Sequence, residues 1–526
     1  MCIRDSPDNL ENRDIDFLSA SQFLRYSNTL QVVRQADTTA KNSVYAGSKS
    51  NGGNINAVTV NNKSVFTSTL STLDDSNVFI GRFPGALGNS LRVSVWDSSD
   101  MTNWTYASSF DAAPGTSSFA SGKAASNDEM HIVVIDQGGA LTGTAGTVLE
   151  RYPFVSKGSD AKNTDGSTNF ARDVINERSE YIYMANFDSD FTTAGAGTTV
   201  DSGENFVRTK RTKDHYDLTK GVNSGSLSTS DFAGAFDLFE DKDNVEIDFL
   251  IAPGMQTRTD QTTVVNDLIS TAQSTRKDCV VVASPARADV VNVTNAATAT
   301  TNITTTAATF TKSSYLVMDG NYLKVFDKFN DQFIQVPASS STAGIMAATD
   351  RNAAPWFSPA GGRRGQYLGV TAIDYTPSKT QRDTLYKAGV NPVANIPGQG
   401  ILLFGDKTGL ARPSAFDRIN VRRLFLVLER AIGRAAESVL FEFNDEFTRA
   451  EFVNIVEPVL REVKGRRGIT DFRVVCDETN NTAAVVDRNE FIASIFIKPA
   501  RSVNFVTLNF VAVRTGVDFE EVVGTV

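Results

Sequence analysis

The most regular hydrophobic pattern in the chain lies in its last third. Apolar residues recur there every three or four positions, a spacing that predicts an amphipathic helix of about six turns, and they are Val421, Leu424, Phe425, Leu428, Ile432, Ala435 and Val439. A second helix is predicted to start at Thr448, because Thr448 and Glu451 have the spacing of a capping box. Pro458 should kink or divide this helix, since proline lacks the amide donor and clashes one turn back.

Alternating and β-branched runs predict strands elsewhere. Residues 61–154 are typical of an all-β region, with a β-branched run at residues 131–135. Near the C-terminal end, residues 469–476, 491–497 and 505–513 each predict a strand, and residues 30–34 predict a short one. By contrast, residues 188–230 are rich in Gly, Ser, Thr and Asp, so we expect long surface loops there.

The middle of the chain changes character at about Asp231. A β-rich run at 245–251, helical spacing over 264–272 and a buried strand at 279–283 predict a βαβ unit with a parallel strand pair. Further strands are predicted at 315–318, 322–326 and 332–336. The intervening Thr-rich residues 291–312 predict an exposed loop or an edge hairpin rather than core.

Composition and charge narrow the possible functions. The 526 residues, at roughly 100–200 residues per domain, predict about three or four domains. The net charge of −10 argues against a generic nucleic-acid binder, which needs a basic face to displace counterions from phosphates. No stretch approaches the roughly 18 apolar residues of a membrane span, and the longest uncharged run, Val290 to Thr311, is mostly Thr, Ala and Asn. The three cysteines lie far apart and form no CxxC pair, so a zinc knuckle is not expected.

Candidate catalytic chemistry is sparse. Of the two histidines, His131 opens a strand run and is expected to be structural, whereas His215 lies in a Lys/Arg-rich loop and is expected to be exposed. The acidic residues 240–244 lack the glycine and the distal glutamate of a calcium loop and predict a solvated turn. We therefore predict no catalytic site, no metal site and no cofactor.

Two basic clusters are the best candidate binding residues: Arg422 and Arg423, and Lys464, Arg466 and Arg467. The plain interpretation is a polar helix face and a solvated helix end. A more specific one is docking onto an acidic protein surface. Nucleic acid ranks third, because the interleaved aromatic residues of such a site are absent.

Several motifs in register resemble the tail sheath proteins of contractile-tailed bacteriophages. They are Phe83–Val93 with its Pro-Gly and Gly-Asn steps, Val336–Asp350, Trp356–Gly361, Asn391–Gly405, Asn420–Leu424 and Cys476–Asn481 with Ile497–Pro499. The sequence departs from the family pattern at Ala338, where a second proline is common, at Ala348, where arginine is common, and at Phe404, where tryptophan is common. These departures leave the fold expectation intact.

The resemblance implies a multidomain protein of mixed α/β and α+β class, with β-rich outer insertion domains. We expect an N-terminal segment packing with the core over residues 1–42 and protruding outer domains over 43–230. A central α/β sheath domain is expected over 231–385, and a C-terminal α+β domain with an extended arm over 386–526. The first six residues resemble a translated sequencing adapter, so we expect the native N-terminus to be missing.

The implied function is that of a non-enzymatic structural subunit. It would polymerise as a helical tube around an inner tail tube and contract to drive that tube through the host envelope. The alternative is the sheath of a phage-derived injection device. Implied partners are further copies of the chain, the inner tube protein, and baseplate and terminator proteins, with no nucleic acid and no membrane span, in a virion tail assembled in the host bacterial cytoplasm.

Two sets of site residues follow. The family has arms that add strands to neighbouring sheets, and the C-terminal residues Val517, Phe519, Val522 and Val523 are apolar and need burial, so we expect them to pair with a neighbour's sheet edge. The basic residues Arg422, Arg423, Lys464, Arg466 and Arg467 are expected to face an acidic inner tube in the extended state.

Overall fold

The computed structural model describes residues 11–36, 39–46, 58–70, 77–187, 195–208, 214–223, 227–328 and 330–502. The chain divides into two compact units, residues 1–10 with 32–236 and residues 11–31 with 237–526. The first helix, α1 (Glu11–Phe23), therefore belongs to the second unit. Helices occur together with several small sheets, which confirms the mixed, multidomain fold class.

Antiparallel strands dominate the first unit. These are β1 (Asn42–Ala46), β2 (Asn77–Pro84), β3 (Leu91–Trp96), β4 (Glu129–Asp136), β5 (Thr147–Ser156), β6 (Ile182–Met184) and β7 (His215–Asp217). They form two sheets, of order β1-β2-β6 and β5-β4-β3-β7. The helices of this unit are short: α2 (Lys63–Thr69), α3 (Ser118–Gly122), α4 (Ala171–Arg178) and α5 (Thr229–Phe236).

Residues 188–230 do not consist only of surface loops, which corrects the prediction. Strand β7 completes the larger sheet by pairing with β3, and Phe206, Tyr216 and Leu218 are buried. Tyr216 packs edge-on against Tyr45, with ring centroids 4.8 Å apart. Isolated aromatic residues in a polar segment thus reach a core assembled from distant strands. Residues 30–34, predicted as a strand, adopt no regular structure.

The second unit contains a parallel sheet of order β14-β10-β9-β8, a three-stranded sheet β12-β11-β13 and two two-stranded sheets, β15-β16 and β17-β18. Its strands are β8 (Phe249–Ile251), β9 (Val280–Ala283), β10 (Leu316–Asp319), β11 (Tyr322–Asp327), β12 (Gln332–Pro337), β13 (Ala372–Ile373), β14 (Val390–Asn391), β15 (Val393–Ile396), β16 (Gly400–Leu403), β17 (Ile469–Val475) and β18 (Ser494–Pro499). Its further helices are α6 (Arg258–Ser270), α7 (Arg287–Val290), α8 (Ala296–Thr309), α9 (Ser339–Asn352), α10 (Lys379–Lys387), α11 (Ile419–Glu437), α12 (Glu446–Gly465) and α13 (Ala483–Val486).

The predicted βαβ unit is confirmed, since β8 and β9 pair in parallel and α6 connects them. The Thr-rich segment, however, forms helix α8 and not a loop or hairpin. Ala299, Ile303 and Ala307 recur every fourth residue and are buried. Threonine hydroxyls bond back to carbonyls one turn earlier, as Thr300 does to Ala296 at 2.8 Å. Burial of this small apolar face outweighs the low helix propensity of threonine, so the segment is helical.

The first predicted C-terminal helix is confirmed as α11. The second, α12, begins at Glu446 rather than Thr448, because the Asp445 carboxylate accepts a hydrogen bond from the Thr448 amide at 2.9 Å and caps the helix. Pro458 does not divide α12, which continues to Gly465. Val456 and Leu460 are buried on either side of the proline, so packing holds both halves in one helix.

Candidate inter-subunit surfaces

Arg422 and Arg423 lie inside the second unit, which corrects the expectation that they form an exposed basic patch. Arg422 is 8% exposed, and its guanidinium lies 4.3 Å from the ring centre of Tyr315 and 4.2 Å from that of Phe416. Its Nη2 also donates to the Ser314 hydroxyl at 2.6 Å. Burial lowers the pKa of Arg422. The Arg422 side chain therefore packs the start of α11 against Tyr315 and Phe416 and is not available to a partner.

Arg423 has a comparable internal role. Its guanidinium forms an ion pair with Asp350 of α9 and lies 4.9 Å from the ring centre of Phe249. Burial raises the pKa of the Asp350 carboxyl, and the neighbouring arginine opposes that shift. The predicted basic pair is therefore structural: helix α11 turns these two positions inward because its apolar face and its first turn both pack on the core.

The second basic cluster is exposed, at the C-terminal end of α12. The Lys464 ammonium pairs with Asp471 at 3.0 Å, and the Arg466 guanidinium lies 3.4 Å from Glu462. Arg466 also donates to the carbonyl of Ala353 at 3.1 Å. Arg467 is exposed and has a positive φ of 66°. Acidic neighbours thus partly compensate this cluster, which is exposed where Arg422 and Arg423 are buried.

A two-stranded sheet lies beside α12. Strands β17 and β18 pair antiparallel, with Phe472 opposite Ile497 and Val474 opposite Ile495. These four side chains face the core that contains Phe452 and Leu460. On the opposite face Phe496 is 60% exposed. Among the described residues neither strand has a second neighbour, so each offers one unpaired backbone edge.

The expected arm residues Val517, Phe519, Val522 and Val523 lie outside the described residues, as does the strand predicted at 505–513. Their pairing remains a prediction.

The two histidines have the expected exposures. His131 is buried, stacks on Phe110 with ring centres 4.2 Å apart, and its Nε2 donates to the Ala112 carbonyl at 2.8 Å. Burial lowers its pKa. His215 is exposed but belongs to strand β7 and not to a loop. Within the described ranges there is no group of three or more His, Cys, Asp or Glu side chains arranged to hold a metal ion, and no helix long and apolar enough to cross a bilayer.

Sequence reasoning missed an exposed aromatic surface formed by the α11–α12 connection and the first turn of α12. We call it the phenylalanine turn, and it comprises Leu440, Phe441, Phe443 and Phe447. Phe441 is fully exposed, and Phe443 and Phe447 are 83% and 82% exposed. The sequence does show a cluster of three phenylalanines within seven residues. Apolar residues next to a helix are usually assigned to the core, however, and only the packing shows that these are exposed.

A groove in the same unit was also missed. It has a volume of about 550 Å³ and its walls include Tyr26, Ala348, Phe357, Arg363, Arg364 and Leu368. We call it the arginine groove. Arg364 lies 5.3 Å from the ring centre of Phe357, and burial together with the adjacent Arg363 lowers its pKa. The walls are therefore largely apolar and include two arginines.

Family comparison assigns the second half of the chain. A model described as the phage tail sheath protein central domain matches residues 225–409, and the phage tail sheath C-terminal domain matches residues 411–512. The two matches are adjacent and together span more than half of the chain.

The chain belongs to the phage tail sheath protein family.

Relatives named tail sheath protein agree with this assignment. The protein from Vibrio phage KVP40 is 52% identical over 40% of this chain and 32% of its own length. The one from Enterobacteria phage T4 is 39% identical over 58% of this chain and 48% of its own length. The one from Salmonella phage ViI is 29% identical over 96% of this chain and 88% of its own length. The chain therefore spans about a third of the length of the KVP40 protein and about half of the length of the T4 protein.

A solved structure shares the fold. The crystal structure of the sheath tail protein Lin1278 from Listeria innocua matches with a TM-score of 0.52 and 11% identity, covering 92% of this chain and 86% of that chain. At that identity the likeness concerns the fold alone.

Proposed function

We propose that this sheath protein is a structural subunit of a contractile tail. Copies polymerise as a helical tube around an inner tail tube and contract to drive that tube through the host cell envelope. The observation that carries this proposal is the pair of adjacent sheath-domain matches over residues 225–512. In this role the protein is a virion component without enzymatic activity, assembled in the host cytoplasm.

The proposed function requires subunits that form an open helical array and can pack in two different ways. Head-to-tail contacts whose rotation does not close generate helical filaments instead of rings. Contraction needs a metastable long packing and a more stable short one, and the free-energy difference between them replaces a chemical fuel. The partners are further copies, an inner tube protein, and the baseplate and terminator proteins at the two ends. The β-rich first unit forms the outer surface.

The C-terminal arm links neighbouring copies in this proposal. Residues Val517, Phe519, Val522 and Val523 form a strand that pairs with a neighbour's β17–β18 sheet, whose edges are unpaired among the described residues. Such links keep the lattice connected while whole subunits rotate and slide. Charge–charge docking on the inner tube is assigned to Lys464, Arg466 and Arg467 alone, because they are exposed where Arg422 and Arg423 are buried.

Negative-stain electron microscopy of the purified full chain at high concentration tests the proposal. We expect striated tubes. A chain lacking residues 515–526 should give no tubes and an unchanged thermal melt, because the arm acts between copies. A full chain that stays monomeric when supplied with the inner tube would contradict the proposal. Tubes from the truncated chain would contradict only the role of the arm.

A further inference from the structure

Hydrogen bonds hold the phenylalanine turn in one conformation. The buried Arg449 donates from Nε to the Asn444 Oδ1 at 2.7 Å and from Nη2 to the Asn444 carbonyl at 3.0 Å. The Asn444 amide in turn donates to the Glu490 carbonyl at 2.7 Å. Four aromatic and aliphatic side chains are therefore held outward by a fixed backbone, where an exposed apolar cluster marks an interaction site.

The backbone at Phe441 supports this. Its φ is +69°, in the left-handed region that a bulky side chain enters at a cost. The residue is also fully exposed, so no contact within the described residues offsets that cost. Strain of this kind persists where the surrounding structure enforces it, and it gathers at functional surfaces.

The sequence segment that contains the turn carries exposed charge of one sign. The exposed charged residues from 438 to 451 are all acidic: Glu442, Asp445, Glu446 and Glu451. A partner surface should accordingly be an apolar recess with basic residues in its wall. The arginine groove has this composition, since Phe357 and Leu368 contribute apolar walls and Arg363 and Arg364 are its only charged wall residues among those described. An incoming carboxylate would also relieve the repulsion between these two adjacent arginines.

The two surfaces cannot meet within one copy. The phenylalanine turn lies at the N-terminal end of α12, whereas the groove lies at the other end, where Arg466 donates to the carbonyl of the groove residue Ala353 at 3.1 Å. Helix α12 has 20 residues, so about 30 Å separates the surfaces at 1.5 Å per residue. A matched turn and groove at opposite ends of a helix can pair only between copies.

We propose that the phenylalanine turn of one copy docks into the arginine groove of a second copy. The contact is head-to-tail, because each copy uses its turn on one side and its groove on the other. It therefore propagates along a chain of subunits and does not stop at a symmetric dimer. This inference rests on the proposed self-assembly and names a contact that is separate from the C-terminal arm.

Cysteine cross-linking of the full chain tests the contact. In a Cys2→Ser background the two other cysteines, Cys279 and Cys476, are buried, so cysteines placed at Phe443 and Leu368 are the accessible ones. We expect mild oxidation of the double variant F443C/L368C to give a ladder of covalent multimers on non-reducing gels. Each single variant should stay largely monomeric, because the proposed contact then contains only one cysteine. The matched control L238C/L368C, which uses the 65% exposed Leu238, should give no ladder.

Charge reversal gives a second readout. Arg363→Glu in the double-cysteine background should reduce ladder formation about tenfold or more, as expected for loss of a central contact. Adding Glu442→Arg and Glu446→Arg to the same chain should restore ladder formation.

Three outcomes would overturn the inference: no ladder from F443C/L368C, an equally strong ladder from the Leu238 control, or no rescue by the two glutamate reversals. Striated tubes without cross-links would overturn the inference alone, whereas cross-links without tubes would overturn only the proposed sheath function.

Discussion

Arg423 of α11 forms an ion pair with Asp350 at the end of α9, and this pair joins two of the motifs on which the family resemblance rests. The arginine side chain is 6% exposed and the aspartate side chain 25%. Residues far apart in sequence are thus fixed together by charge in the interior. Their position between helices explains why a basic pair at a helix start need not be a binding surface.

Removing Asp350 should leave a buried cation without its partner. We expect Asp350→Ala to lower the free energy of unfolding by about 3 kcal/mol, because breaking a buried ion pair costs more than the pair contributes in net terms. Equilibrium denaturation in urea measures the change. Arg461→Ala, which breaks an exposed pair with Glu457, should change stability by less than about 0.5 kcal/mol. Equal effects from the two variants would contradict the assignment.

Gly468 should not tolerate a side chain. A Cβ there would lie 2.7 Å from Val463 Cγ1 and 2.9 Å from Trp356 Cγ, so Gly468→Ala should destabilise the protein by about 1–3 kcal/mol. Gly433 is the matched control, because it lies within α11 and a Cβ there meets no atom within 4 Å. Gly433→Ala should stabilise by up to about 1 kcal/mol. Thermal melts of both variants should therefore move in opposite directions, and a shared direction would refute the packing argument.

Asp319 should make stability depend on pH. It is fully buried, accepts hydrogen bonds from Ser284 at 2.7 Å and Thr342 at 3.0 Å, and burial raises its pKa from 3.8 to about 7. The folded state therefore binds this proton more tightly than the unfolded state, so its contribution to stability decreases as pH rises from about 4 to 7.

Asp319→Asn removes that titration. We expect the melting temperature of the native chain to fall relative to the variant between pH 5 and about 7, and the difference to level off above about 7. Differential scanning calorimetry across this range gives the comparison. A constant difference between the two proteins would mean that Asp319 does not titrate in this window.

The basic end of α12 should set the salt dependence of docking on the inner tube. Reversing Lys464, Arg466 and Arg467 to glutamate should weaken co-sedimentation with extended tubes at low ionic strength, because exposed charges act most strongly when screening is weak. Arg412→Glu, an exposed position elsewhere in the second unit, is the control. Unchanged binding at low salt would remove these residues from the interface.

The sequence by itself determined the elements whose signal is local and periodic. Helix α11 follows from apolar residues every three or four positions, and the parallel pair β8 and β9 follows from two β-rich runs around a helical stretch. The family could be recognised because its motifs keep their order along the chain. In each case the information lies within a few tens of residues.

Only the tertiary structure decided which polar and aromatic residues are presented at the surface. Arg422 and Arg423 turn inward because Tyr315, Phe416 and Asp350 arrive from distant segments, and the Thr-rich residues of α8 become helical because Ala299, Ile303 and Ala307 find a core. Conversely, Phe441 and Phe443 face outward because buried Arg449 fixes their turn. Burial is a property of long-range packing, so composition and spacing alone cannot assign it.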